Sequence, residues 1–280
     1  MYLPYSVWDV LALLVFLFRS KDRPVATGAL SVPSHTSLCL LPPCRGTGSL
    51  LHASAETAEA ARPAGCLQSR HDDVIKLHVL RGFYYLLSCI NYTDFLSFLV
   101  TSVLDNYSYL CQPVDYSRSE LGMRMARVCW WFFFSKVIEL LDTVFFILRK
   151  KQEQVTFLHV YHHGTMLFNW WSGVKYVPGG QAFFIGMLNS FVHIFMYGYY
   201  ALASLGPRMH PYLWWKRYLT IMQLCQFVAI AAHSSYNLFT ECPFPDGFNA
   251  AVFLYILSLI ALFLRFYYQT YIRGKQEKLT

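Results

Sequence analysis

Long uncharged apolar runs constrain this 280-residue chain more than any other feature. A helix that crosses a bilayer takes about 20 mainly apolar residues, because each rises about 1.5 Å through a hydrocarbon core about 30 Å thick. Six stretches reach that length: 83–104, 128–148, 157–174, 179–205, 218–240 and 248–271. The first is interrupted by Asp94, the second carries Lys136, Glu139 and Asp142, the third holds three His, and the last is broken by Arg265. Backbone in hydrocarbon must satisfy its own hydrogen bonds, so each stretch reads as an α-helix. The short alternating segments of a membrane barrel are a different pattern. The predicted fold is therefore all-α, a polytopic membrane helical bundle with six clear transmembrane helices. Composition excludes the other classes. Only 14% of residues are charged, against about 25% in soluble domains. The 23 Phe, 20 Tyr and 7 Trp rule out disorder throughout, and eight Cys are too sparse for a secreted disulfide scaffold. In a membrane chain the net charge of +7 marks cytosolic loops rather than nucleic-acid binding.

Basic residues gather at alternate connections: Arg149, Lys150 and Lys151, then Arg208, Lys216 and Arg217, then Arg273, Lys275 and Lys278. The positive-inside rule puts these ends and the C-terminus in the cytosol, with 105–127, 175–178 and 241–247 on the opposite face. Cys111 and Cys242 fall in loops of that opposite face. If that face meets an oxidising compartment they can form a disulfide joining two hairpins; the alternative is a pair of free thiols. Asn106-Tyr107-Ser108 is a glycosylation sequon close to the membrane on the same face, and Asn91-Tyr92-Thr93 inside a span reads as a chance match. Residues 10–18 give an apolar core too short to span, and 19–77, holding five of the twelve Pro, show neither helical nor strand period and read as disordered.

Ionisable and amide groups inside spans cost free energy on insertion, which makes them functional candidates. At 100° per residue Lys136, Glu139 and Thr143 share one helix face, with Asp142 about 120° away. They form either an internal ion pair that lets the helix insert or one wall of a buried chamber. His159, His162 and His163 crowd a single arc of the next span. Such a cluster serves metal ligation or nucleophile and base catalysis. Metal is disfavoured because a di-iron oxygenase uses several histidine boxes and this chain offers one, with only His193 and His233 elsewhere in spans. Asn189, His193, Met196, Tyr197 and Tyr200 form a third group, with His193 to Tyr200 on one face. Thr220, Gln223 and Gln226 form a fourth, suited to helix packing or to a polar ligand. Phe183, Phe184, Phe191 and Trp170 are of the type to line an apolar tunnel or to face lipid.

In this order the motifs K-x-x-E-x-x-D-T (Lys136 to Thr143), H-x-x-H-H (His159 to His163), H-x-x-M-Y-x-Y-Y (His193 to Tyr200) and T-x-x-Q-x-x-Q (Thr220 to Gln226) resemble the elongases of very long chain fatty acids. The likeness runs over about 91 to 273, includes NYSYLCQPVDYS and VFFILRKK, and leans towards the animal polyunsaturated-chain branch, although Met187 stands where that branch has Gln. It implies a seven-span fold. Against that pattern, 1–18 reads as a truncated first helix, 19–77 as an atypical insertion or gene-model artefact, 78–272 as the catalytic bundle and 273–280 as a basic cytosolic tail. The resemblance implies condensation of a long-chain acyl-CoA with malonyl-CoA, releasing CoA and carbon dioxide, in the endoplasmic reticulum membrane, within membrane lipid and without metal or redox cofactor. Homo- or hetero-oligomers with other elongases and enzymes of the cycle are the expected partners. A transporter or receptor, or a catalytically impaired paralogue, is the alternative. The expected mechanism is attack by neutral His162 on the acyl thioester to give an acyl-imidazole, with His163 and His193 positioning groups or stabilising an enolate. His159, Lys136, Glu139 and Asp142 are expected as supporting or CoA-contacting residues, and Asn189, Tyr197, Tyr200, Gln223 and Gln226 as substrate- or CoA-binding or supporting ones.

Overall fold

The computed structural model describes residues 64–143 and 156–273, with side chains from Leu77 onward. The apolar 10–18 segment, the predicted insertion up to 63, Arg149 to Lys151 and the tail beyond 273 lie outside the described residues. Six α-helices follow one another: α1 (Ala64–Leu104), α2 (Glu120–Glu139), α3 (Phe157–Tyr176), α4 (Ala182–Ala203), α5 (Lys216–Phe239) and α6 (Asp246–Tyr267). A 3-10 turn at Pro207–Tyr212 joins α4 to α5, and a π-helical turn at Tyr268–Arg273 prolongs α6. No strand occurs among the described residues.

Three helices are long and apolar enough to cross a membrane: Leu77–Leu104, Ala182–Ala203 and Asp246–Arg273. The other three, of 20, 20 and 24 residues, are less apolar because they carry the Lys, Glu, His and Gln groups of the interior. Those groups stay out of lipid because the helices close a ring, in which α1 packs on α2, α2 on α3, α3 on α6, α6 on α5, α5 on α4 and α4 again on α1. Outward positions such as Tyr85, Trp131, Leu254 and Leu264 are exposed, as a lipid-facing surface requires.

Two element boundaries differ from the sequence expectation. The helix expected at 83 begins at Ala64, because helical turns propagate from a nucleated span at little cost and residues 64–77 contain no Pro. Helix α2 starts at Glu120 rather than 128, because Ser119 caps it by accepting from the Gly122 amide. Ser119 in turn donates to Asp115, and hydrogen bonds from Ser117 and Ser119 hold the Asp115 carboxyl below the usual carboxylate range.

Aromatic packing fixes the ring. Phe98 of α1, Phe132 of α2, Trp170 of α3 and Phe183 of α4 share one core. Gly186 makes that convergence possible, since a Cβ there would lie 2.6 Å from Phe98 Cζ and 3.0 Å from Trp170 Cη2. A disulfide joins Cys111, between α1 and α2, to Cys242, between α5 and α6, across 131 residues with Cα atoms 5.8 Å apart. The α3–α4 turn tucks beneath it through Gly179 and Gly180, at φ of 91° and 52°. A Cβ on Gly180 would meet Val114 and the Phe244 ring at under 3 Å.

Candidate active site

Helices α1, α2 and α4 meet around a buried carboxylate. Glu139 Oε1 accepts from Lys136 Nζ at 2.6 Å and from Asn91 Nδ2 at 3.0 Å, and it lies 3.3 Å from His193 Nδ1. Lys136 Nζ also donates to Asn91 Oδ1 at 3.2 Å and sits 4.5 Å over the Phe132 ring. On the far side of the imidazole, Asn189 Nδ2 is 3.3 Å from His193 Nε2. His193 Nδ1 is also 3.3 Å from Lys136 Nζ, so it meets Glu139 as a donor in one tautomer and Lys136 as an acceptor in the other. A carboxylate thus orients this ring from behind, as it does for many functional histidines. The ion pair is tolerable in an apolar interior because each charge has further hydrogen-bond partners.

Among the described residues, Lys136 and Glu139 line neither of the two main cavities; they stand behind the wall. Asp142, one turn further along and about 60° round the helix from Glu139, lines the larger cavity. Leu140 N bonds to Val137 O and Thr143 N to Leu140 O, so the backbone tightens to i, i+3 spacing. Asp142 lies within that turn. Its neighbour Thr143 bonds to His159 Nε2 at 2.8 Å.

The larger cavity, about 560 Å³, is lined by His159, His162, His163 and His193. Tyr197, Tyr200, Gln223 and Gln226 also line it, with Asn189 at its inner limit. The His159 and His163 rings lie 4.5 Å apart, and His162 and His163 are near-perpendicular at 5.4 Å. Gln223 contributes a 3.4 Å contact to Met196 Sδ. Lys216 lines the outer part of this cavity, whereas Arg217 is engaged by the Tyr267 hydroxyl at 2.7 Å. Among the described residues no three His, Cys, Asp or Glu are grouped to hold a metal ion.

A second, narrower cavity runs from this level towards the disulfide and is almost wholly apolar, with Met166, Ile185, Ile230 and Ile256 in its wall. His162, Asn189, Gln226 and Phe227 line both cavities, so they mark the junction. Of the clustered histidines only His162 stands there. Among the described residues its ring nitrogens take part in no hydrogen bond, whereas His159 and His193 are both engaged. Of the aromatics expected along a tunnel, Trp170 lines the narrow cavity. Phe183 is sealed in the aromatic core, Phe184 stacks on His233, and Phe191 faces outward, because α4 turns only one of its faces to the cavity.

Sequence reasoning missed Asn91, taking it for part of a chance sequon. Its signal was position: Leu80, Tyr84, Leu87, Asn91, Asp94, Phe98 and Thr101 recur at spacings of three and four along the buried face of α1. A polar residue in that register needs a buried partner.

The sequence profile described as ELO: GNS1/SUR4 family matches residues 70–279. Human very long chain fatty acid elongase 4 is 52% identical over 200 residues, covering 71% of this chain and 64% of that protein. Very long chain fatty acid elongase 7 of Drosophila melanogaster is 47% identical over 177 residues, 62% of this chain and 54% of the relative. Human very long chain fatty acid elongase 1 is 45% identical over 203 residues, 70% and 73% of the two chains. The chain therefore spans less than two thirds of the length of some of these relatives. A match over most of the chain, including every helix around the two cavities, shows that this protein belongs to the ELO (GNS1/SUR4) family.

Proposed function

We propose that the protein is a fatty acid elongase, condensing a long-chain acyl-CoA with malonyl-CoA to 3-oxoacyl-CoA, CoA and carbon dioxide. The names of its relatives support the activity. One observation carries the chemistry: His162 lies where a polar chamber meets an apolar one. An acyl-CoA thioester joins those same two characters, with the acyl chain in the narrow cavity and the CoA end in the wide one.

In the first stage a His162 ring nitrogen attacks the thioester carbonyl, and the carbon–sulfur bond breaks. The proton of the other ring nitrogen passes to the departing thiolate, leaving CoA and an acyl-imidazole. In the second stage malonyl-CoA loses carbon dioxide, and the resulting enolate carbon attacks the acyl carbonyl. The bond to nitrogen breaks, and the departing imidazolate takes up one proton from water, replacing the one that left with CoA. Splitting one displacement into two lowers each barrier. His193, aligned by Glu139 and Asn189, and His163 beside His162 stabilise the enolate oxygen or relay the proton. Lys216 at the outer part of the chamber suits a CoA phosphate.

The membrane is that of the endoplasmic reticulum, with the disulfide-linked loops in the oxidising lumen and the C-terminus in the cytosol. Supporting this reading, the basic connections alternate with the side that carries the Cys111–Cys242 bridge. The mechanism is tested by His162→Ala in isolated membranes supplied with acyl-CoA and radiolabelled malonyl-CoA. Loss of both the extended product and the acylated protein is expected. Turnover retained in the variant would overturn the assignment of His162.

A further inference from the structure

Between the junction and its far end the narrow cavity is lined mainly by apolar side chains, with Asn169 the exception. At that far end, beside Val177, Phe244 and Phe248, two amides line it: Gln181 at the start of α4 and Asn249 in the first turn of α6. Both are more than nine-tenths buried, at 2% and 4% exposure. Gln181 is held in one orientation, because its Nε2 donates to Asn237 Oδ1 at 2.8 Å, and Asn237 is itself fixed by donating to His233 O. That leaves Gln181 Oε1 without a donor, and Asn249 Nδ2 is without an acceptor. An unmet acceptor and an unmet donor at one end of a greasy channel are costly to keep, since burial without a partner forfeits hydration.

We propose that this end is a recognition subsite for a hydroxyl at the distal end of the acyl chain, so that ω-hydroxyacyl chains are substrates. The proposal rests on reading the narrow cavity as the acyl channel. A hydroxyl both donates and accepts, so its chemistry suits an end of the channel that offers an acceptor, Gln181 Oε1, and a donor, Asn249 Nδ2. A terminal methyl at the same place leaves both amide groups unmet, and sites of this kind discriminate against the analogue that lacks the polar group. The effect depends on length. Along α6 the lining of the narrow cavity runs from Leu259 to Asn249, ten residues or about 15 Å of helix rise. Only a chain whose end reaches that depth gains from its hydroxyl, and a shorter hydroxylated chain buries the group among Ile and Met side chains.

The test uses membranes from cells expressing the full chain, radiolabelled malonyl-CoA, and pairs of acyl-CoAs of equal length ending in methyl or in hydroxymethyl. Across a series of lengths, kcat/KM for the hydroxylated member is expected to exceed that of its partner about tenfold within one window of length, the worth of one buried hydrogen bond. Shorter lengths give the reverse preference. Asn249→Leu is expected to abolish the window. A ratio at or below one at every length overturns the subsite while leaving the elongase reading intact, and so does a window unchanged in Asn249→Leu. Extension of neither member at any length removes the condensing reading and the subsite with it. The wild-type length series decides the matter even if the variant does not fold.

Discussion

Asn91 shows how one amide can organise a site it does not line. It donates to Glu139 and accepts from Lys136, completing the partners of two buried charges while His193 completes the triangle. Asn91→Leu preserves size and apolarity but leaves Lys136 and Glu139 each one hydrogen bond short. Destabilisation of about 1–3 kcal/mol is expected, together with a fall in condensing activity of about ten- to a hundredfold through loss of His193 alignment. Thermal unfolding in detergent and radiolabelled malonyl-CoA incorporation measure the two effects. An active, equally stable variant would remove Asn91 from the network. The partners were invisible in the sequence because they lie 45 and 48 residues away. The i, i+3 pair of Lys136 and Glu139 was legible, since it closes within one helical turn.

At the scale of helices, the spacing of His193, Met196, Tyr197 and Tyr200 predicted one inward face of α4, and all four line the large cavity. Regular helix carries that information from residue to residue, and it fails where the helix is irregular. The turn at Leu140 tightens to i, i+3 spacing, and no composition signal announces such a turn. Helix-to-helix distance is likewise set by the smallest residues at the contact, which makes Gly186 a sharp test. Gly186→Ala places a methyl 2.6 Å from Phe98 Cζ. A loss of about 1–3 kcal/mol is expected from overpacking, with Phe98→Leu restoring much of it. If the melting temperature of Gly186→Ala matches that of the parent, α1 and α4 are not packed this closely.

Over the whole molecule, the ring needs a fastening on the side away from the basic connections. The Cys111–Cys242 bridge closes a 131-residue loop there and ties the α1–α2 hairpin to the α5–α6 hairpin. Removing the closure from the unfolded ensemble, as in Cys111→Ser, is expected to cost about 2–4 kcal/mol. The reading is the melting temperature in detergent with and without reductant. A parent protein indifferent to reductant would show the bridge to be dispensable. By itself the sequence determined the class of fold, because hydrocarbon leaves a long apolar run no choice but a helix, and it identified the four polar motifs, because charge and imidazole inside such runs are too costly to be incidental. Only the tertiary structure decided which helices neighbour which, that Lys136 and Glu139 stand behind the chamber while His162 stands at its junction with the apolar channel, and that two unmet amides lie at the channel's end. Those are matters of contact between residues far apart in the chain, and helical periodicity, which fixes a face, does not say what that face meets.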